Sequence, residues 1–288
     1  MIPALADLAQ RIEAFAATPA GSPLPSETEA AVAELLDLLE AGTVRAAEKD
    51  ADGRWHAVPW VKRGILLGFR AGRIVNLSPS RDHASSPFSF FDKHTIPTRQ
   101  FTLADNVRVV PGGSTARRGA FIAPGVVCMP PMFINVGAYV GAGTMVDSHA
   151  LVGSCAQVGA RVHLSAAAQV GGVLEPVNAS PVIIEDDAIV GGNCGVYEGT
   201  VVRERAVLAA GVVLTRGTPV YDLVREVIHR ATADHPLEIP AGAVVVPGAR
   251  AVKSSWGTGE GLSVQTPVIV KYRDDKTDLA TALESWLR

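Results

Sequence analysis

The chain has 288 residues, of which 48% are hydrophobic but only 6% aromatic, so its core must be built from aliphatic side chains. Its 26 basic residues nearly balance its 29 acidic ones, and a net charge of −3 argues against nucleic acid or an anionic membrane surface as a partner. No apolar run approaches the roughly 18 residues of a membrane-spanning helix. The first residues resemble an amphipathic helix rather than a signal peptide, and the three cysteines form no CxxC pair. We therefore expect a reduced, cytoplasmic protein.

Residues 1–105 have the mixed composition of a small α/β domain. Aliphatic residues at helical spacing predict one helix near the start of the chain and a second over Val32–Leu39, which would begin at a capping box of Ser26 and Glu29. Further predicted features are a hairpin turn at Asp52-Gly53, a helix over Val61–Phe69 and a loop over Ser78–Ser89.

From Ile122 onwards, the sequence repeats every six residues. After an insertion over residues 175–181 the register shifts by two and the repeat resumes. The repeating positions, aliphatic in every case except Cys128, are Ile122, Cys128, Ile134, Val140, Val146, Val152, Val158, Leu164, Val170, Ile184, Val190, Val196, Val202, Leu208 and Leu214. The fifth position, counted from each aliphatic residue, is small or β-branched. A period of six fits short strands joined by tight corners, with glycines at the second position to relieve the corner.

This period is typical of the left-handed parallel β-helix, in which three hexads make one triangular coil. The fold class is therefore mainly β, with about five coils, an N-terminal α/β domain and a small C-terminal β extension. We predict a β-helix over residues 106–252, interrupted by the loop 175–181 and an excursion over 221–238, with the repeat returning at Ile239, Val245 and Ala251. The extension over 253–288 would contain a strand, Pro267–Tyr272, and a helix, Thr277–Leu287.

Three functional classes suit such a prism: an acyltransferase, a metal-dependent lyase of the carbonic-anhydrase type, and a passive scaffold or ice-binding module. Only two of the seven histidines, His149 and His163, lie in the repeat, so no three-imidazole metal site is predicted. The outward positions are irregular and charged, unlike the flat threonine array of an ice-binding face. The acyltransferase remains, and a non-catalytic binding module is the alternative of a different class.

Particular segments, more specific than the repeat, resemble tetrahydrodipicolinate N-succinyltransferases. They are Arg108-Val-Val-Pro111, Gly143-Thr-Met-Val-Asp147, Val152-Gly-Ser-Cys-Ala-Gln157, Gly171-Gly-Val-Leu-Glu-Pro176 and Glu198-Gly199. The resemblance covers most of the chain. It implies a homotrimer with active sites between subunits, and transfer of succinyl from succinyl-CoA to the amine of a cyclic imine dicarboxylate in diaminopimelate and lysine biosynthesis. Succinyl-CoA would be a co-substrate, and no tightly bound cofactor is expected.

The resemblance also implies roles for three charged residues. Asp147 would contact the acceptor and act as the catalytic carboxylate, since attack on a thioester needs a neutral amine whose proton can be taken up. Glu198 would belong to the acceptor site as a second catalytic residue, and Arg108 would bind an acceptor carboxylate, which a guanidinium can hold through two hydrogen bonds. Arg117 and Arg118 are weaker candidates for that task, and His149 is an alternative base.

The CoA side is less specific. The bare backbones at Gly191, Gly192 and Ala210 would let the pantetheine arm lie along a groove, although corner geometry alone would also explain these residues. Lys253 is a candidate phosphate contact. The spacing does not distinguish succinyl from acetyl as the donated group, so an acetyl-CoA-dependent transferase acting on the same or a related amine is the closest alternative.

Overall fold

The structure is a computed structural model that describes residues 3–78 and 89–274. The predicted loop Ser78–Ser89 falls almost wholly between these ranges, and the predicted helix Thr277–Leu287 lies outside the described residues. The helices of the described ranges are α1 (Pro3–Ala16), α2 (Thr28–Glu40), α3 (Pro59–Ala71) and the short α4 (Ser255–Gly259), with a 3₁₀ turn at Leu103–Asp105.

The first three helices pack together through aliphatic side chains that are fully shielded from water, among them Ile12, Leu35 and Ile65. A Cβ on Gly64 would lie 2.3 Å from Leu35 Cδ2, so α3 approaches α2 this closely only because that position has no side chain. The same cluster includes Val136 and Cys155 of the coils, which joins the helices to the prism.

The capping box predicted for α2 is wrong. The helix begins at Thr28, its N-cap is Glu27 in a helical conformation, and no side chain caps the first turn. Ser26 therefore lies one residue outside the cap, and Glu29 Oε2 instead lies 3.2 Å from His94 Nε2.

Two short hairpins accompany these helices. Strands β1 (Ala47–Lys49) and β2 (Trp55–Ala57) pair antiparallel, which confirms the hairpin at Asp52-Gly53. Strands β3 (Ile74–Asn76) and β4 (Phe91–Lys93) form a second antiparallel pair, which the sequence pattern did not predict.

The rest of the chain winds through three stacks of parallel strands, which we call the first, second and third faces of the prism. The coil strands of the first face are β5 (Arg108–Val109), β8 (Val127–Cys128), β11 (Met145–Val146), β14 (His163–Leu164), β17 (Ile189–Val190), β20 (Val207–Leu208) and β25 (Ala243–Ala251). The second face contains β6 (Thr115–Ala116), β9 (Phe133–Ile134), β12 (Leu151–Val152), β15 (Gln169–Val170), β18 (Gly195–Val196) and β21 (Val213–Leu214). The third face contains β7 (Phe121–Ile122), β10 (Tyr139–Val140), β13 (Gln157–Val158), β16 (Ile183–Ile184), β19 (Val201–Val202) and β24 (Glu238–Ile239).

The repeating aliphatic residues of the sequence form the interior of these coils, nearly all of them at 0% exposure. Residues 18 apart pair in register, as Val140 does with Val158, which confirms the parallel β-helix. The second and third faces each have six strands rather than the predicted five or so. The second face already begins at Thr115, before the repeat is regular, and the third face gains β24, where the repeat returns at Ile239 as predicted. The left-handed sense of the coil stays a prediction.

The last coil passes into a β extension. Within the predicted excursion, β22 (Val220–Asp222) pairs antiparallel with β23 (Val227–His229). The long strand β25 enters the first face and then pairs antiparallel with β26 (Ser263–Tyr272), which includes the predicted strand Pro267–Tyr272. Val245 is buried as predicted, but Ala251 is exposed, because β25 has left the prism by then and belongs to this hairpin.

Candidate active site

One long edge of the prism carries several of the predicted site residues. Where the first face turns into the second, the corner residues of successive coils are Asp147, Ser165, Gly191 and Ala209, each following a strand that pairs with the next. At about 4.8 Å per coil, Asp147 and Gly191 are separated by roughly 10 Å along the axis. A carboxylate and a stretch of backbone with small side chains therefore share this edge, which we call the first–second edge.

Asp147 is half-buried at this edge, with 28% of its side chain exposed. Its Oδ1 accepts a hydrogen bond from Ser148 N at 2.7 Å, and its Oδ2 lies 4.0 Å from His163 Nε2. One carboxylate oxygen is thus fixed by the backbone, while the other lies beside an imidazole, at a distance too long for a direct hydrogen bond.

His163 is a neighbour of Asp147 to which the sequence pattern assigned no role in the site. It stands 18 residues after Met145 and pairs with it in the next coil, which brings its ring beside the corner that follows Met145. Adding one coil to the positions around Asp147 would have identified it.

Arg108 lies on the first face, two coils before the strand that leads to Asp147. It pairs with Val127, which pairs in turn with Met145, and its side chain is exposed. The backbone of Arg108 lies about 10 Å along the axis from that of Asp147, a distance that a long arginine side chain and a dicarboxylate can span together. The structure therefore brings Arg108 and Asp147 to the same part of the surface.

Glu198 occupies a different edge, where the second face turns into the third, which we call the second–third edge. Its side chain is exposed, and its Oε2 accepts a hydrogen bond from Arg216 N at 2.8 Å. The second face separates it from Asp147, so one subunit does not bring the two carboxylates together.

The backbone of Glu198 is unusual for this fold. Positive φ recurs in the coils at the position midway between two inward aliphatic residues. The members of this series are Gly119, Gly125, Gly137, Gly143, His149, Cys155, Arg161, Ala167, Asp187, Asn193, Gly199, Arg205 and Gly211. Across the coils from Thr115 to Leu214, Glu198 alone, with φ 54°, has positive φ outside the series. A left-handed conformation costs a residue with a Cβ about 1–2 kcal/mol, and such strain where the fold does not require it is typical of functional sites.

A cleft of about 970 Å³ surrounds Glu198. The insertion residues Glu175, Asn178 and Ser180 form one wall, Arg216 and the segment 233–236 another, and His56 with the rest of β2 contributes a third. The predicted loop 175–181 therefore lines a cleft together with a predicted site residue.

The candidate CoA contacts separate into two groups. A Cβ on Gly191 would lie 2.6 Å from both Ala210 N and Leu208 O, and one on Gly192 would lie 3.3 Å from Ala166 O. These glycines are thus needed for the stacking of the corners, whatever else they do. The second-position glycines consequently allow close approach between coils, without a positive φ. Lys253 is exposed two residues beyond the end of β25.

The weaker candidates are occupied elsewhere. Arg117 donates to Asp92 Oδ2 at 2.5 Å, and Arg118 pairs with Asp37 of α2. His149 is exposed at a corner with φ 62°. Arg117 and Arg118 thus pair with carboxylates of the N-terminal domain, whereas His149 lies on the same corner as Asp147.

The cysteines do not resemble nucleophiles. All three are buried, and burial raises the pKa of Cys128 and of Cys155 to about 12 and raises that of Cys194 as well. Because the thiolate is the reactive form, these thiols are inert at neutral pH. Within residues 3–78 and 89–274 there is no cluster of metal-ligating side chains and no helix long and apolar enough to cross a membrane.

A second cleft, of about 690 Å³, lies where the third face turns into the first, and it contains none of the predicted site residues. Here the Arg45 guanidinium stacks 3.7 Å from the centroid of the Tyr139 ring, and its Nε donates to Gln157 Oε1 at 2.9 Å. Glu185, only 6% exposed, accepts from Trp55 Nε1 at 2.8 Å and pairs with Lys49 and Arg203. These contacts dock the β1–β2 hairpin onto the prism.

Comparison with known proteins gives a consistent result. Residues 7–71 match the family profile described as tetrahydrodipicolinate N-succinyltransferase N-terminal, and residues 181–216 match the hexapeptide repeat of succinyl-transferase. The chain is 41% identical over 269 residues to the 2,3,4,5-tetrahydropyridine-2,6-dicarboxylate N-succinyltransferase of Polynucleobacter asymbioticus, covering 92% of this chain and 91% of the relative. The enzyme of the same name from Nitrobacter hamburgensis is 42% identical over 269 residues, covering 91% and 90%.

Among solved structures, a Campylobacter jejuni protein described as a putative 2,3,4,5-tetrahydropyridine-2-carboxylate N-succinyltransferase is 18% identical. The alignment covers 86% of this chain and 63% of that one, with a TM-score of 0.43.

Proposed function

Because this chain belongs to the tetrahydrodipicolinate N-succinyltransferase family, we propose that it transfers succinyl from succinyl-CoA to tetrahydrodipicolinate in diaminopimelate and lysine biosynthesis. The observation that carries the proposal is the 41% identity across 92% of the chain. Water opens the cyclic imine to an amino ketone, the amine attacks the thioester carbon, and the C–S bond breaks. The products are N-succinyl-2-amino-6-oxopimelate and CoA, and no acyl-enzyme is needed.

Asp147 is the group that takes up the amine proton in this proposal. The hydrogen bond that fixes Oδ1 and the imidazole of His163 beside Oδ2 support that role. Arg108 binds an acceptor carboxylate, and its exposure on the same part of the surface supports this assignment. Glu198 orients the acceptor from the second–third edge, and its strained backbone and its hydrogen bond from Arg216 N support a functional role.

Because those two edges lie apart on one chain, the proposal includes a homotrimer in which each site forms between two subunits. Succinyl-CoA then lies along the first–second edge past Gly191, Gly192 and Ala210, with Lys253 near its phosphates. The proposal divides the chain into three domains: residues 1–105, the coils over 106–252 with the loop 175–181 and the excursion 221–238, and the extension 253–288. The reaction takes place in the cytoplasm.

The test measures CoA release with a thiol reagent, using purified protein, tetrahydrodipicolinate and either succinyl-CoA or acetyl-CoA. The proposal predicts acceptor-dependent release with succinyl-CoA and a kcat/KM for acetyl-CoA at least about tenfold lower, which corresponds to roughly 1.4 kcal/mol of transition-state discrimination. Equal or better use of acetyl-CoA would make the chain an acetyltransferase. No release with either thioester would leave the non-catalytic binding module.

A further inference from the structure

Lys62 is a buried lysine that no catalytic step uses. It lies in α3, and its side chain is fully shielded from water, at 0% exposure. Its Nζ donates a hydrogen bond to the carbonyl oxygen of Ala179 at 2.6 Å. Ala179 belongs to the insertion that lines the cleft of Glu198, so this contact joins the N-terminal helices to one wall of that cleft.

Burying a charged ammonium group at this position costs free energy. Burial lowers the pKa of Lys62, with a partly offsetting interaction with Cys155. Its neighbours on the same helix, Val61 and Ile65, are both at 0% exposure, and an unbranched apolar side chain would fill the same space without desolvating a charge. Packing alone therefore does not explain a lysine here, whereas its hydrogen bond to the insertion does.

The insertion also contacts the backbone next to Glu198. Ser180, which follows Ala179, has its carbonyl oxygen 2.7 Å from where a Cβ of Gly199 would stand, and Gly199 has φ 74°. The insertion thus lies directly against the backbone that follows Glu198, and only glycine permits this approach. Moving Ala179 by an ångström would change both the wall of the cleft and the corner that carries Glu198.

We propose that Lys62 is a positioning residue that holds the insertion 175–181 in place and thereby sets how the acceptor fits beside Glu198. This inference rests on the proposed function for the identity of the acceptor. The holding of the insertion itself does not depend on that identity. Lys62 touches neither substrate and acts through Ala179 and Ser180.

The test compares Lys62→Met with the wild type by hydrogen–deuterium exchange and by steady-state kinetics on the full chain. Methionine fills the space but cannot donate, so exchange in the segment 175–181 should become about tenfold faster. The acceptor KM should rise by about tenfold, with the KM for succinyl-CoA unchanged. Lys62→Gln, which retains an N–H donor on a shorter chain, should fall between the two in both readouts and serves as the second variant if the methionine variant does not fold.

Ile65→Val is the matched control, since it removes one methylene from the same helix without touching the insertion. It should lower thermal stability slightly and leave both readouts at wild-type values. Unchanged exchange in the Lys62 variants would overturn the inference, as would faster exchange with an unchanged acceptor KM. An inactive wild type would instead refute the proposed function, and the exchange data would still show whether Lys62 holds the insertion.

Discussion

Asp147 stands at a corner where the next coils carry Ser165, Gly191 and Ala209, so the fold does not require a carboxylate there. Asp147→Asn keeps the oxygen that accepts from Ser148 N and removes only the capacity to take a proton. We expect kcat to fall at least about 100-fold, the lower range for loss of a general base, with an unchanged melting temperature. The measurement is CoA release under saturating succinyl-CoA.

The control for Asp147 is His149→Asn, two residues away. Asparagine tolerates the positive φ of that corner, so this variant should fold and keep near wild-type turnover. If His149→Asn loses activity and Asp147→Asn does not, the base is His149 and the proposed role of Asp147 is wrong.

Substitution of Arg108 distinguishes an effect on acceptor binding from an effect on the chemical step. Arg108→Lys keeps the charge but loses the two-pronged geometry, which puts a charge-assisted hydrogen bond of roughly 1.5 to 3 kcal/mol at stake. The acceptor KM should therefore rise about tenfold to a hundredfold, while the KM for succinyl-CoA stays the same. Arg118→Lys, at an arginine paired with Asp37, should change neither constant. Equal increases in both constants for Arg108→Lys would assign Arg108 to folding or assembly.

Some residues of the site could be identified from the sequence alone, and others could not. Asp147 was identifiable because its segment matches a family motif, and His163 could have been found from the 18-residue coil. Lys62 could not, because a lysine followed by an arginine in a helix is usually exposed. Its burial depends on an insertion more than 100 residues later that covers it.

Among the structural elements, the β1–β2 hairpin depends on a buried carboxylate. Burial opposes the ionisation of Glu185, but hydrogen bonds from Lys49, Trp55 and the backbone of Glu204, with the charge of Arg203, outweigh it and lower its pKa from 4.5 to about 2. A depressed pKa in the folded state stabilises the fold above the ordinary value and loses that contribution as the pH falls. The loss should occur between about pH 4.5 and pH 2.

Glu185→Gln tests this docking. At pH 7 the variant should be less stable by about 1–3 kcal/mol, the usual scale for a hydrogen-bonded charge, which is several degrees in melting temperature for a chain of this size. As the pH is lowered from 4.5, the wild type should lose stability faster, and the two melting temperatures should converge. A difference that stays constant from pH 7 to pH 3 would contradict the assigned role.

The elements differ in how far the sequence predicted them. The coils follow from a six-residue period because each inward position must be aliphatic, and the insertion is visible as a break in that period. The long pairing of β25 with β26 is not periodic, so Ala251 was wrongly expected inside. The start of α2 depends on which residue adopts the cap conformation, which one serine and one glutamate do not determine.

For the whole molecule, the second face is the feature that favours assembly. It lies between the edges of Asp147 and Glu198, and its outward residues include Phe133, Leu151 and Val213, the last 39% exposed. The third face is covered by the β1–β2 hairpin, which packs on Ile183 and Val201. A largely apolar face between two half-sites is what a cyclic trimer would bury. Light scattering should give three times the mass of one chain at micromolar concentration.

The central claim is that Asp147 of one subunit and Glu198 of another complete each active site, and mixed trimers test it most directly. Asp147→Asn and Glu198→Gln should each be nearly inactive alone. When the two variants are unfolded, mixed in equal amounts and refolded together, about a quarter of the sites should receive both intact residues from different subunits. Activity should return to about a quarter of that of refolded wild type. Activity no higher than that of the separate variants, in trimers shown to be mixed, would contradict the claim and place both residues of a site in one chain.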